Sequence, residues 1–281
     1  MDLTGYDPLP GQGSGADFIA SLPSGQSASV IKAREALLID AVKTGRAQVR
    51  WAFVTTAWKG KAATIPVMAD TLAVGETGAV RISTTYPTAQ AIADLLGNVQ
   101  LLTPKIAHVV HLRAKVSLPA LTQPWFQGKG GDGTMSETFR IKDYNAKVDA
   151  KPAVLGGATK SDIVGNVGKD WVVTIRWNSA GAPKKHNAAN YGFYDPKGLS
   201  MSGDQPGRRL WQSTGLAHNF GHTDYSQLLR FMGRTMLIDG VVHSTANVMM
   251  DAKLAPLVTG AEGKLPYWRH PDLPAPAAQV G

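Results

Sequence analysis

Gln48-Val49-Arg50-Trp51-Ala52-Phe53-Val54-Thr55-Thr56-Ala57-Trp58 is the stretch on which the fold turns. Aromatic and β-branched residues fill it, which suits a pleated, half-buried surface and predicts a strand. Lys59-Gly60-Lys61 follows as a turn, and residues 62–74 return as a second strand. Pro66 has no amide hydrogen to give a ladder, so it predicts an edge position or a bulge. Val80-Arg81-Ile82-Ser83-Thr84 supplies a third strand. Upstream, Ser27 or Ser29 predicts the N-cap, and Gly45 the stop, of a helix reaching about Thr44. Val30, Ala33, Leu37, Leu38, Ala41 and Val42 recur at helical spacing and predict its buried stripe. A helix followed by a meander is the reading of this part.

Downstream, Thr85–Gly97 reads as a short amphipathic helix, and Thr103-Pro104 opens another through about Ala114. His108 and His111 share a face of it at i, i+3, a spacing that fits packing better than metal ligation. Residues 115–134 form a loop containing Gly-Lys-Gly-Gly-Asp-Gly at 128–133, with Trp125-Phe126 expected to anchor it on the core. Ser136 predicts the cap of a helix through about Ala150. Lys169–Trp177 alternates Asp170, Val172, Thr174 and Arg176 with Trp171, Val173, Ile175 and Trp177, predicting a strand with one wet and one dry face. Asn190–Tyr194 predicts a short aromatic strand between polar loops at 178–189 and 197–209. Leu228–Met232 and Thr235–Ile238 read as strands, Asp239-Gly240 as a turn, and Ser244–Thr259 as one or two short helices.

The expected fold class is α+β: a mixed, mainly antiparallel sheet with short helices and long Gly/Pro-rich loops. Residues 1–26 read as an irregular arm, 27–265 as a single two-lobed domain, and 266–281 as a Pro-rich extended tail.

Composition narrows the function classes. Hydrophobic residues make up 43% of the 281, and charged residues 18%, a globular balance with ample material for a core. The chain has no cysteine, which excludes disulfides, thiolate metal sites and a cysteine nucleophile. No apolar run approaches the roughly 18 residues a membrane span needs. Met1-Asp2-Leu3-Thr4-Gly5 does not have a basic region leading into an apolar core, so no signal peptide is read there. The net charge of +8 favours an anionic polymer as partner. The basic residues are scattered, however, and Lys184-Lys185-His186 and Arg208-Arg209 have no interleaved aromatics, which argues against nucleic acid. Gly11-Gln12-Gly13-Ser14-Gly15 lacks the context of a phosphate-cradling loop, and no nicotinamide or flavin fingerprint is present.

The densest chemistry lies in Gly215-Leu216-Ala217-His218-Asn219-Phe220-Gly221-His222-Thr223-Asp224-Tyr225-Ser226-Gln227. Three readings compete. In the first, His222 and Asp224, helped by His218, form an acid–base set with Ser226 as candidate nucleophile. No Gly-x-Ser-x-Gly elbow surrounds Ser226, and triads usually gather residues from distant segments, which weakens the nucleophile role. In the second, His218, His222 and Asp224 ligate a divalent metal such as zinc, with Asp170, Asp195 or Asp204 as a further ligand. Gly221 argues against the helix such a His-x-x-x-His pair prefers. In the third, a buried His–Asp contact, with Tyr225 and Ser226 satisfying backbone groups, holds an irregular turn together.

Lys169-Asp170-Trp171-Val172-Val173, Asn190-Tyr191-Gly192-Phe193, Gln212, Gly215–Gln227 and the earlier Pro87–Leu96 together resemble a group of uncharacterised, mostly secreted bacterial proteins. The resemblance spans about 30–260 and brings no known activity. It implies a secreted, extracytoplasmic setting, and the structural reading of the cluster adds a virion-associated one. Its pattern carries a His after the Tyr-Gly-aromatic step, where this chain has Tyr194. The resulting expectation is a hydrolase acting on a cell-wall polymer such as peptidoglycan, with His222 and Asp224 central, His218 and Ser226 assisting, and Asn190, Tyr191, Gln212 and Tyr225 lining the substrate. The alternative is a non-enzymatic virion or surface structural protein whose His/Asp cluster stabilises a loop. No cofactor is expected in either, except a divalent metal in the second reading.

Overall fold

The computed structural model describes residues 11, 13–118, 137–149, 162–178, 186–194 and 210–275. The first half begins with α1 (Gly15–Ser21) and α2 (Ala28–Lys43), then β1 (Ala47–Gln48), β2 (Trp51–Trp58), β3 (Lys61–Met68), β4 (Ala73–Val74) and β5 (Val80–Arg81). Next come α3 (Tyr86–Leu96), β6 (Val99–Leu101), α4 (Pro104–Arg113), β7 (Val116–Ser117) and α5 (Thr138–Asp149). The second half holds β8 (Val164–Gly165), β9 (Lys169–Trp171), β10 (Asn187–Tyr194), β11 (Leu210–Asn219), β12 (Gln227–Leu228), β13 (Phe231–Gly233), β14 (Thr235–Ile238) and β15 (Val241–Ser244). It closes on α6 (Thr245–Met250) and α7 (Pro256–Thr259). Short helices beside mostly antiparallel sheets make this an α+β fold.

The β2–β3 hairpin organises the largest sheet. Lys59 and Gly60 both take positive φ, the backbone of a tight two-residue turn, and Trp58 pairs with Lys61 across it. β3 then pairs with β14 and β13 on its other side, and β15 and β6 extend those strands. Pro66 therefore lies in an interior strand, neither at an edge nor in a bulge of its own pairing with β2. Met232 faces Val67, but Leu237 faces Thr64, so the register slips where β13 gives way to β14. Pro66 sits at that slip, and a Cβ on Gly233 would come within 3.0 Å of its Cγ.

Several local expectations need correction. The arm at 1–26 contains α1, capped by Ser14, whose side chain accepts from the Asp17 amide while Asp17 reaches back to Ser14. α2 has the predicted ends, Ser27 as N-cap and Thr44 as C-cap, but its buried face is turned. Ala33 is exposed, while Arg34 and Glu35 are buried. Both are bound on arrival: the Arg34 guanidinium donates to Gly25 O and Thr138 Oγ1, and Glu35 Oε1 accepts from the Thr85 amide. The strand predicted over 169–177 ends at Trp171, and Ile175–Asn178 is a 3-10 turn. Its wet face does not form, because Val172 and Thr174 on that face are fully buried and Asp170 is only part-exposed. The loop expected over 115–134 begins instead with β7 at Val116–Ser117. Residues 119–134 of that loop, the loop at 197–209, the cap at Ser136, and the basic pairs Lys184-Lys185 and Arg208-Arg209 lie outside the described residues.

Candidate functional site

A second sheet, in the order β11-β10-β9-β12, carries the motif. β10 runs antiparallel to both β11 and β9, placing Asn190 opposite Gly215 and Gly192 opposite Gln212. Gly215–Asn219 thus belongs to a strand, not to a loop. A Cβ on Gly215 would meet Gln212 Nε2 at 2.9 Å and Asn190 Oδ1 at 3.0 Å, so both side-chain ends would have to give. After Asn219 the chain turns. The Asn219 side chain accepts from the Gly221 amide, and the Phe220 ring stacks 5.9 Å from Tyr86 in the core. The chain then returns as β12, parallel to β9, with Gln227 opposite Lys169.

That parallel contact brings Lys169 onto the motif. Its Nζ lies 3.1 Å from Asp224 Oδ2, and both side chains are almost fully buried. The other oxygen, Asp224 Oδ1, accepts from the Ser226 amide at 2.8 Å and from Ser226 Oγ at 2.5 Å. The Asp224 amide in turn donates to Gln227 Oε1. Burial alone would raise the Asp224 carboxyl, but the Lys169 ammonium, His222 and the Ser226 donors outweigh it and hold the group well below the usual carboxylate range. Asp224 is therefore an anion whose two oxygens are both supplied from within the fold.

His218 and His222 are half-buried, and their rings stack face to face at 3.7 Å. His222 Nε2 stands 3.7 Å from Asp224 Oδ2, beyond a direct hydrogen bond. Burial, with the nearby His222 and Lys169 charges, lowers His218 to about 4, so it is neutral at neutral pH. Ser226 is only 1% exposed and spends its hydroxyl on Asp224. An attack on substrate by Ser226 has no open path in this arrangement.

The expected substrate wall is interior. Asn190, Tyr191 and Tyr225 are buried, and Asn190 Oδ1 accepts from the half-buried Gln212. Tyr225 packs 5.2 Å from the Tyr144 ring, and burial followed by the Asp224 charge raises its hydroxyl. Among the described residues, no group of three or more His, Asp or Glu side chains stands in a position to hold a metal ion. His218 lies in a strand and His222 beyond a turn, so the helical His pair of the metal reading does not form. Asp170 faces Arg230 at 3.9 Å instead, while Asp195 and Asp204 lie outside the described residues.

Two features escaped the sequence reading. Lys169 is the principal partner of Asp224, and only the long-range β9–β12 pairing reveals it. A second polar group surrounds Tyr194, where the resemblance expects His. Tyr194 OH lies 2.8 Å from His108 Nδ1 and donates to Tyr191 OH, while the His111 ring stacks on Tyr194 at 3.6 Å. This packing accounts for the His108/His111 pair. Beside it, Asp170, His111 and Arg230 border a cavity of about 20 Å³, room for about one water. Burial raises Asp170 to about 6, with Arg230 offsetting part of the cost.

The fold and site together define an α+β protein with a buried Lys–Asp–Ser unit under a half-exposed His pair. Comparison with protein-family models, curated proteins and solved structures gave no match. Among the described residues, no helix is long and apolar enough to cross a membrane.

Proposed function

We propose that the 215–227 cluster is a structural clamp and that the chain serves as a non-enzymatic structural or assembly protein of a virion or cell surface. One observation carries this reading: both Asp224 oxygens are filled by Lys169 and Ser226, so the carboxylate's capacity goes to holding the turn against β9. A buried, internally satisfied ion pair specifies geometry, and it costs stability when one partner is removed. The basic balance of the chain would suit an anionic surface or assembly partner.

A second reading is a wall-polymer hydrolase, favoured by the half-exposed stacked imidazoles. There, neutral His218 would flank His222 while Asp224 fixes its orientation, and His222 would draw a proton from water. Closing the 3.7 Å gap to Asp224 would be part of substrate binding. Mass spectrometry of peptidoglycan fragments incubated with wild type and His222→Ala, each with and without chelator, separates the two. The clamp reading expects no product from any sample and a lower melting temperature for Asp224→Ala. Product from wild type that vanishes in a folded His222→Ala would overturn it, and chelator sensitivity would then assign the chemistry to a metal.

A further inference from the structure

β2 is an edge strand. Among the described residues it pairs with β3 and with no strand on its other side. The hairpin turn fixes which backbone groups are left over. Trp58 and Lys61 close a two-residue turn and form a hydrogen-bonded pair, so Trp58, Thr56, Val54 and Ala52 aim their amides and carbonyls at β3. Trp51, Phe53, Thr55 and Ala57 aim theirs outward. Phe53 is 55% exposed, and Thr55 and Ala57 are exposed as well. Natural edges are guarded by charges, prolines, bulges or short length. β2 has eight residues with no charge and no proline, and its pairing with β3 is unbroken from Trp51 to Trp58.

We propose that β2 docks antiparallel on β2 of a second copy of this chain, forming a two-fold dimer with one continuous sheet. The strand is self-complementary. With Val54 on the two-fold axis, Phe53 faces the copy's Thr55, and Trp51 faces its Ala57. Every outward backbone group then finds a partner, giving about eight ladder hydrogen bonds. Aromatic opposite β-branched is a favourable cross-strand pair. The flanking charges also fit: Arg50 falls opposite the copy's Trp58, and no Lys or Arg meets another, which matters for a chain of net charge +8. The opposite edge of the sheet, β15, is half as long and carries His243, so it is the poorer match. This interface lies in a different sheet from the His/Asp cluster and stands whether or not that cluster is a clamp.

Sedimentation equilibrium over a range of concentrations tests the dimer. Wild type should show a monomer–dimer equilibrium. Phe53→Lys should weaken it by about tenfold or more, with an unchanged melting temperature at dilutions where wild type is monomeric, because two-fold symmetry counts each lost cross-strand pair twice. The register has its own test, since the chain has no cysteine. A mixture of Phe53→Cys and Thr55→Cys should oxidise to a disulfide-linked heterodimer faster than either variant alone. A chain that stays monomeric at the highest attainable concentration overturns the proposal, as does a dimer indifferent to Phe53→Lys. Open-ended oligomers would bring in the β15 edge and overturn the two-fold arrangement.

Discussion

Asp224 shows how much of a site can be visible one residue at a time. The motif marks it, Ser226 and Gln227 as neighbours, and all three do meet. Local hydrogen bonding by Asp and Ser side chains is a short-range habit that sequence displays. Lys169 is 55 positions away and reaches Asp224 only through strand pairing, so no local signal announces it. The energetics follow from burial. Asp224→Ala leaves the Lys169 ammonium buried and unpaired, and should cost about 3–5 kcal/mol in urea-unfolding free energy. Lys169→Met should cost less, since Ser226 still donates twice to the carboxylate. The double variant should cost less than the two singles added, because neither leaves the other's charge behind. Strict additivity would show that the pair is uncoupled. Because its native carboxyl is depressed below the ordinary 3.8, Asp224 stabilises the fold above that pH, and the contribution is lost as pH falls further.

At the scale of elements, caps and turns were the legible part. Ser27, Thr103 and Ser244 each accept from the predicted helix amide, Gly97 ends α3 with positive φ, and Asp239-Gly240 turns β14 into β15. These are decided within a few residues of chain. The turned face of α2 was not legible, because it depends on what lies across the interface. Glu35 is an example. It accepts at 2.6 Å from the amide of Thr85, the N-cap of α3, whose own side chain caps no helix amide. A helix start has unmatched donors, and here a neighbouring helix supplies the acceptor. Glu35→Ala should therefore destabilise the protein by about 1–3 kcal/mol, the cost of a buried donor left unmatched. Glu35→Gln keeps an acceptor oxygen and should recover most of the loss. Equal losses in the two variants, measured by chemical denaturation, would assign the effect to packing instead. The 169–177 segment failed for the same reason as α2: its alternation promised solvent on one face, but the rest of the fold covers Val172 and Thr174 on that face.

For the whole molecule, two buried titrations oppose each other across the same pH range. His218 is held near 4 against an ordinary 6.5, chiefly by burial. The unfolded chain binds that proton first, so His218 favours the fold fully above 6.5 and loses that effect as pH falls through 4. Asp170 is raised to about 6 against an ordinary 3.8, again chiefly by burial. Here the native state binds the proton first, so its contribution is full below 3.8 and is lost as pH rises through 6. Between about 4 and 6 the slopes have opposite sign, and the wild-type stability curve should be flattened there. Each slope is bounded by one proton, about 1.4 kcal/mol per pH unit. The His218 slope falls short of that bound because its half-exposed ring is screened. Asp170→Asn should therefore gain stability relative to wild type as pH rises from 4 to 6. His218→Ala should lose it over the same span. Burial also lowers His270, which adds an acid-side loss common to all three proteins, so the difference curves are the quantity to compare. Urea midpoints taken at half-unit pH steps would show the two variants diverging from wild type in opposite directions. Parallel curves would mean that neither group titrates in this range, and that Asp170 is held as an ion by Arg230.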